Sequence, residues 1–343
     1  MEGVVSEKEP ASETCLDGLE FSQDVKCLST HFTGISCKDA VFHASIELVD
    51  CIVNGLADFE GADFKGTLKF VRCTFNDFVM LRGANLPDRC VFEECQFNGG
   101  LSMASGLSRA GGVEVECTVI KHVKFKKCSF SGYVTFNNRA FSRSAAFSEC
   151  VFFDPPHFQN TIYHSGTSFD GCDFRCVSTG DSVRKTRAEA AFRSLKRRMQ
   201  DIGDIERMGL FAARELQVRR SHPNTSFFEK ALITVYGLGA DFGRSTVRPF
   251  ALLAIVTLAN LTALVLLGEQ MNHDAVLDAG WFLLSQTAAP FSAFNPSFTL
   301  PMASETLAAP NGRWIWGSIA LVQSLTLVIA IALLVFSIRR RFQ

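Results

Sequence analysis

Large apolar residues recur along 42–174 at alternating intervals of five and six, a rhythm that fits neither an α-helix nor a simple alternating strand. From Phe42 the rungs fall on Leu48, Val53, Phe59, Phe64, Phe70, Phe75, Leu81, Leu86, Phe92, Phe97 and Met103. They resume at Val119, Phe125, Phe130, Phe136, Phe141, Phe147, Phe152, Phe158, Tyr163, Phe169 and Phe174. Of the 25 positions that the rule visits, 16 are Phe, and only Ser108 and Glu114 are not large and apolar. Self-similarity at a fixed period over this length predicts a solenoid whose core is these side chains.

A second register runs beside the first. Two positions before every second rung stand Cys51, Ala62, Cys73, Ala84, Cys95, Gly106, Cys117, Cys128, Arg139, Cys150, Thr161 and Cys172, and ten of these twelve are Cys, Ala or Gly. Two inward sites must share one narrow interior, so a large residue needs a small one two places earlier. The units A-D-F at 57–59 and 62–64, C-T-F at 73–75, A-N-L at 84–86, C-Q-F at 95–97 and C-D-F at 172–174 resemble the pentapeptide-repeat family. That resemblance implies a right-handed quadrilateral β-helix in which four units close one square coil. Here every second unit carries one extra residue, so the coil is 22 residues; 42–174 would then hold six coils and rise about 29 Å at ~4.8 Å per coil. The β-solenoid is expected over 37–178. Residues 1–36 read as a polar, flexible lead and an amino-terminal cap over the open strand edges. The paired glycines of 98–115 mark sides expected to bulge outward.

Beyond Cys176 the period becomes helical. Ala188, Ala191, Phe192, Leu195 and Met199 keep helical spacing, as do Ile205, Met208, Phe211, Ala212 and Leu216, with Gly203–Asp204 between them. A helical hairpin over 181–222 follows. It is basic, with 11 Lys and Arg against six acids over 181–220, which reads either as a solvated face or as one drawn to anionic headgroups. Residues 225–248 set Phe227, Phe228, Leu232, Val235 and Leu238 beside Lys230, Arg244 and Arg248, the composition of an interfacial helix. Two α-helical membrane spans are predicted at 249–268 and 313–338. Phe250–Leu267 is interrupted only by Thr257, Asn260 and Thr262, and Trp314–Ile338 contains no charge. Arg244 and Arg248 precede the first span, Arg339, Arg340 and Arg341 follow the second, and 268–312 holds no Lys or Arg. The positive-inside rule then puts both termini in the cytoplasm, with 339–343 as a basic tail.

The extracytoplasmic connector 269–312 includes a candidate re-entrant segment, 277–300. Leu277–Ala289 is apolar but too short to span, and P-F-S-A-F-N-P follows it. D-A-G-W-F-L-L-S-Q-T resembles the pore helix of two-helix pore-loop cation channels. The whole order resembles bacterial membrane pentapeptide-repeat proteins with an ion-channel-like carboxy-terminal domain. No glycine filter such as T-V-G-Y-G follows Thr287, so potassium selectivity does not carry over. The resemblance implies a homo-oligomer, such as a tetramer, in the inner (cytoplasmic) membrane. Ser285, Gln286, Thr287, Gln323 and Ser324 are the pore-lining candidates; for Gln323, Ser324, Asn260 and Thr262 the alternative is hydrogen bonding between helices.

Composition narrows what is left. A net charge of −1 names no partner, and 14 basic against 16 acidic residues over 37–180 argue against nucleic acid or its mimicry. No Walker loop, H-E-x-x-H, G-x-S-x-G or dinucleotide fingerprint occurs, so neither an enzyme nor a cofactor is expected. Seven of the 12 Cys occupy the small inward site and none forms a C-x-x-C pair. They read as buried free thiols in a reducing compartment, not disulfides or metal ligands. Two functions remain. One is an oligomeric membrane ion channel or pore whose cytoplasmic solenoid senses or assembles, with lipids, ions and further copies as partners. The other is a membrane-anchored interaction scaffold whose solenoid binds a cytoplasmic protein.

Overall fold

The computed structural model describes residues 14–108, 115–175, 182–267, 273–290 and 312–341. They fall into two compact units, one running to Asp204 with Gln217–Pro223 and the other taking Ile205–Leu216 and the chain from Asn224 on.

In the first unit, short parallel strands stack into a β-solenoid from Thr14 to Phe174, with seven strands on each of two faces and six on a third. Ile46–Val49 pairs with Leu68–Val71, which pairs with Cys90–Glu93, each residue facing one 22 positions on. The two step lengths reflect two kinds of corner. Within the coils the five-residue steps turn through one left-handed residue, as at Asp50, Arg72, Glu94, Lys127 and Glu149. The six-residue steps turn more widely, and there successive coils touch backbone to backbone: a Cβ on Gly66 would lie 2.4 Å from the Ala44 carbonyl. Inside, the Phe side chains form columns. Phe75, Phe97, Phe130, Phe152 and Phe174 stack in sequence at 4.8–5.3 Å with rings nearly parallel. Phe59, Phe64, Phe70, Phe92, Phe125, Phe136, Phe141, Phe147 and Phe169 are buried with them. The ten cysteines whose side chains are described are free, and seven of these are buried.

The solenoid differs from the expectation in three places. It begins at Thr14 rather than 37, because Thr14–Cys15 pairs with Ile35–Ser36 and Val25–Leu28 with Ile46–Val49. This first coil is one residue short and carries Cys27 where the next coil has Leu48, so the ladder does not reach it. At the Gly pairs the chain leaves the coil, and Gly106–Ser108 pairs antiparallel with Val115–Cys117. Across this excursion, paired residues lie 33 apart instead of 22, as in Cys90 with Val123 and Gln96 with Ser129. Eleven extra residues equal one five-step plus one six-step, so the ladder keeps phase through a hairpin that belongs to no coil. The stretch 42–174 is therefore five and a half coils, not six. Finally, Val119 is exposed, and Ile120, paired with Phe141, takes the inward site.

Arg139 occupies a small site and is 1% exposed. In neighbouring coils the equivalent carbonyls accept the amide one coil on: Asn85 N donates to Ala62 O, and Ala140 N to Thr118 O. Beside the hairpin that donor is a guanidinium. Arg139 Nη2 donates to Ala84 O at 3.1 Å and Nε to Met103 O at 2.7 Å.

Helix α1 (Ser182–Asp201) closes the last coil with Ala188, Ala191, Phe192, Leu195 and Met199, the face read from the sequence. Phe192 meets Phe174 edge-on at 6.4 Å, Arg198 lies 4.8 Å over the Tyr163 ring, and Arg184 bonds Asp154 at 2.8 Å. Helix α2 (Ile205–Ser221) follows, and at its end Ser221 O accepts from Lys185 Nζ at 3.0 Å. Its buried apolar residues are Phe211, Ala213 and Val218, while Ile205 is exposed.

The second unit holds α3 (Phe227–Ala240), α4 (Val247–Leu267), α5 (His273–Ala288) and α6 (Gly312–Arg341). Ser226 caps α3 by accepting from Glu229 N at 3.2 Å. Ala213 of α2 packs with Ile233 and Phe242, flanked by Leu216 and Tyr236.

Candidate functional site in the membrane helices

Two helices are long and apolar enough to cross a bilayer, Val247–Leu264 within α4 and Gly317–Arg339 within α6. Only 11% and 33% of these stretches are buried, whereas the core helix of a soluble protein would be mostly covered. Ile255, Leu258, Val335 and Phe336 stand exposed, an apolar surface of the kind that marks a membrane or protein contact.

Helix α5 packs on both. Ala279, Phe282 and Leu283 form one cluster with Leu264 of α4 and Ala320 of α6. Toward its end α5 meets a polar hub centred on Gln323, which is 0% exposed. Gln323 Nε2 donates to Thr257 Oγ1 at 2.8 Å and to Thr287 Oγ1 at 3.1 Å, and its Oε1 accepts from Asn260 Nδ2 at 2.9 Å. One amide thus ties three helices. Thr287 Oγ1 in turn donates to Leu283 O at 2.9 Å.

The hub also fixes depth. Near its middle α5 lies beside Leu264, and at its tip Thr287 is level with Thr257, seven residues back along α4, or about 10 Å of helical rise. Thr257 is midway along α4, so α5 runs back alongside α4 to its centre.

The chain matches no protein-family model, no curated protein and no solved structure. The β-solenoid and the two apolar helices therefore stand on the geometry of this chain itself.

Of the candidate lining residues, Thr287 and Gln323 come together in the hub. Ser285 Oγ donates to Phe282 O at 2.6 Å within its own helix. Gln286 and Ser324 are fully buried. Thr262 does not reach the hub; its hydroxyl donates to Leu258 O at 2.8 Å. Thr257, read from the sequence only as a polar interruption, is a hub member. Its spacing of three from Asn260 places both on one helix face, which is the signal that marks them as a pair. Among the basic flanks, Arg248 lies 3.6 Å from Asp241, and Arg244 lines a pocket of about 520 Å³ with Glu206, Asp241, Thr246 and Ser337. Arg339 is exposed. The side chains of Arg340 and Arg341, and the segment 291–300 of the connector, lie outside the described residues.

Proposed function

We propose that this chain is a multi-pass membrane protein in which several copies of α4, α5 and α6 surround a pore carrying cytoplasmic pentapeptide-repeat solenoids. The observation that carries this reading is the depth of α5. A connector that merely joined two spans needs no helix docked to mid-span level by a buried amide, whereas a re-entrant pore element needs that anchorage. Backbone that enters a bilayer without crossing it is tolerated only against protein or water, and α5 supplies the protein wall. The basic flanks and the Lys- and Arg-free connector support a cytoplasmic position for both termini. In this reading Thr287 and Gln323 hold the re-entrant helix in place.

A tether is the second reading, favoured by the mutual pairing of Gln323, Asn260, Thr257 and Thr287, which commits these polar groups within one subunit. Ion flux into vesicles holding the purified full-length chain separates the two. The pore reading expects flux above protein-free vesicles, altered by Gln323→Leu, which frees α5 from its anchor. Flux no greater than in empty vesicles, from protein shown to be inserted, leaves the tether in its place.

A further inference from the structure

Helix α3 presents an apolar face that no described part of the chain covers. Phe227 is 88% exposed, Phe228 72%, Leu238 76%, and Leu232 and Val235 are exposed with them. At 100° per residue these five fall within an arc of about 140°. The opposite side holds Ile233 and Ala240, buried, and Lys230 and Glu229 flank the arc. In water such a face is costly, since each large side chain left exposed forgoes the free energy of its burial.

Its surroundings say what covers it. Gly239 sets α3 directly on both spans: a Cβ there would lie 2.5 Å from Leu333 Cδ1 of α6 and 3.7 Å from Leu252 Cδ2 of α4. Just past the elbow, Val247 and Phe250 at the start of α4 are exposed as well, so apolar surface recurs from the surface helix to the first turns of the span. Along the chain Arg244 stands between these two apolar groups and Arg248 directly follows Val247, where a phosphate layer would meet them. A protein partner seated on this face would itself have to follow the surface down to the spans, whereas the lipid around α4 and α6 does so without further cost.

We propose that the Phe227–Leu238 face of α3 is a lipid-docking surface, seated in the headgroup–acyl boundary of the bilayer that α4 and α6 cross. The inference rests on the membrane reading of those two helices but not on the presence of a pore. A helix so seated buries its apolar side about 5–10 Å into that boundary. Because Ile233 on its other side packs with Ala213 of α2, the docked helix also holds α2 at the membrane surface.

The test uses the full-length chain in vesicles whose lipids carry bromine either near the headgroup or deep in the acyl chain. Phe228→Trp and, separately, Leu258→Trp add one fluorophore each, and quenching is read as the difference from the parent protein. The added signal at 228 should be lost mainly to shallow bromine and that at 258 mainly to deep bromine. Quenching at 258 with none at 228 overturns the docking surface while the spans stand; quenching at neither position overturns both. If the signal at 228 instead shifts with protein-to-lipid ratio and not with bromine, a second copy covers the face and the proposal falls.

Discussion

At the scale of single residues, Arg139 and His157 carry the most information. Arg139 breaks the small-residue rule, and the structure shows why the breach is tolerated. The hairpin interrupts the side of the next coil that would satisfy Ala84 O, and the guanidinium reaches Met103 O from one coil on and Ala84 O from two. Arg139→Ala leaves buried acceptors without donors, at about 1–3 kcal/mol each, and should lower the denaturation midpoint accordingly. Arg139→Lys should restore little, since an ammonium lacks the planar fork that serves several carbonyls at once. Full rescue by Lys would contradict this role. His157 packs at a tilt against Tyr133, with ring centroids 4.7 Å apart, and burial pushes its pKa down to about 4. A depressed histidine destabilises the fold only where the unfolded chain takes up the proton and the folded one does not. Stability is thus complete above the ordinary value of about 6.5 and declines as pH falls from there toward 4. Unfolding midpoints of His157→Gln should lose part of this slope, and an unchanged slope would assign it elsewhere.

Elements were read from the chain to different depths. The face of α1 was legible residue by residue, because its five apolar positions meet a fixed platform, the last coil of the solenoid. That of α2 was not: Phe211 and Ala213 are buried but Ile205 is exposed. Periodicity shows that a helix has an apolar stripe, not how many neighbours share it. The extent of α5 followed the same logic, since it begins at His273, before the apolar run at Leu277 that marked it. The polar hub was legible only as a set of unplaced polar residues within apolar segments. A double-mutant cycle on Gln323→Leu and Thr257→Val in detergent should return a coupling of about 0.6–2 kcal/mol in thermal stability, the range of hydrogen bonds between membrane helices. Additive effects would mean that the amide does not engage Thr257.

For the molecule as a whole, orientation can be read from cysteine. Cys15 is exposed on the first coil, whereas Cys51, Cys73, Cys95, Cys128 and Cys150 are buried in the solenoid, and burial pushes the Cys90 thiol up to about 12. A membrane-impermeant thiol reagent applied to intact cells should leave Cys15 unmodified and should label it once the membrane is opened. The column thiols should react only after denaturation. Labelling of Cys15 in intact cells would reverse the proposed topology.

The order of solenoid, helical pair and two apolar helices of span length was determined by the sequence alone, because each has a period or length that local physics imposes: 22 residues per coil, 3.6 per turn, about 20 apolar residues for a helix long enough to cross a bilayer. Coil number, the first coil and the hairpin were decided only in three dimensions. An insertion of 11 residues is invisible to a ladder whose steps sum to 11, and a strand with Cys in place of Leu is recognised only by its partner. The partners of Gln323 were likewise settled by packing, since they lie 36 to 66 residues away along the chain and no local pattern specifies which polar groups will meet inside a helical bundle.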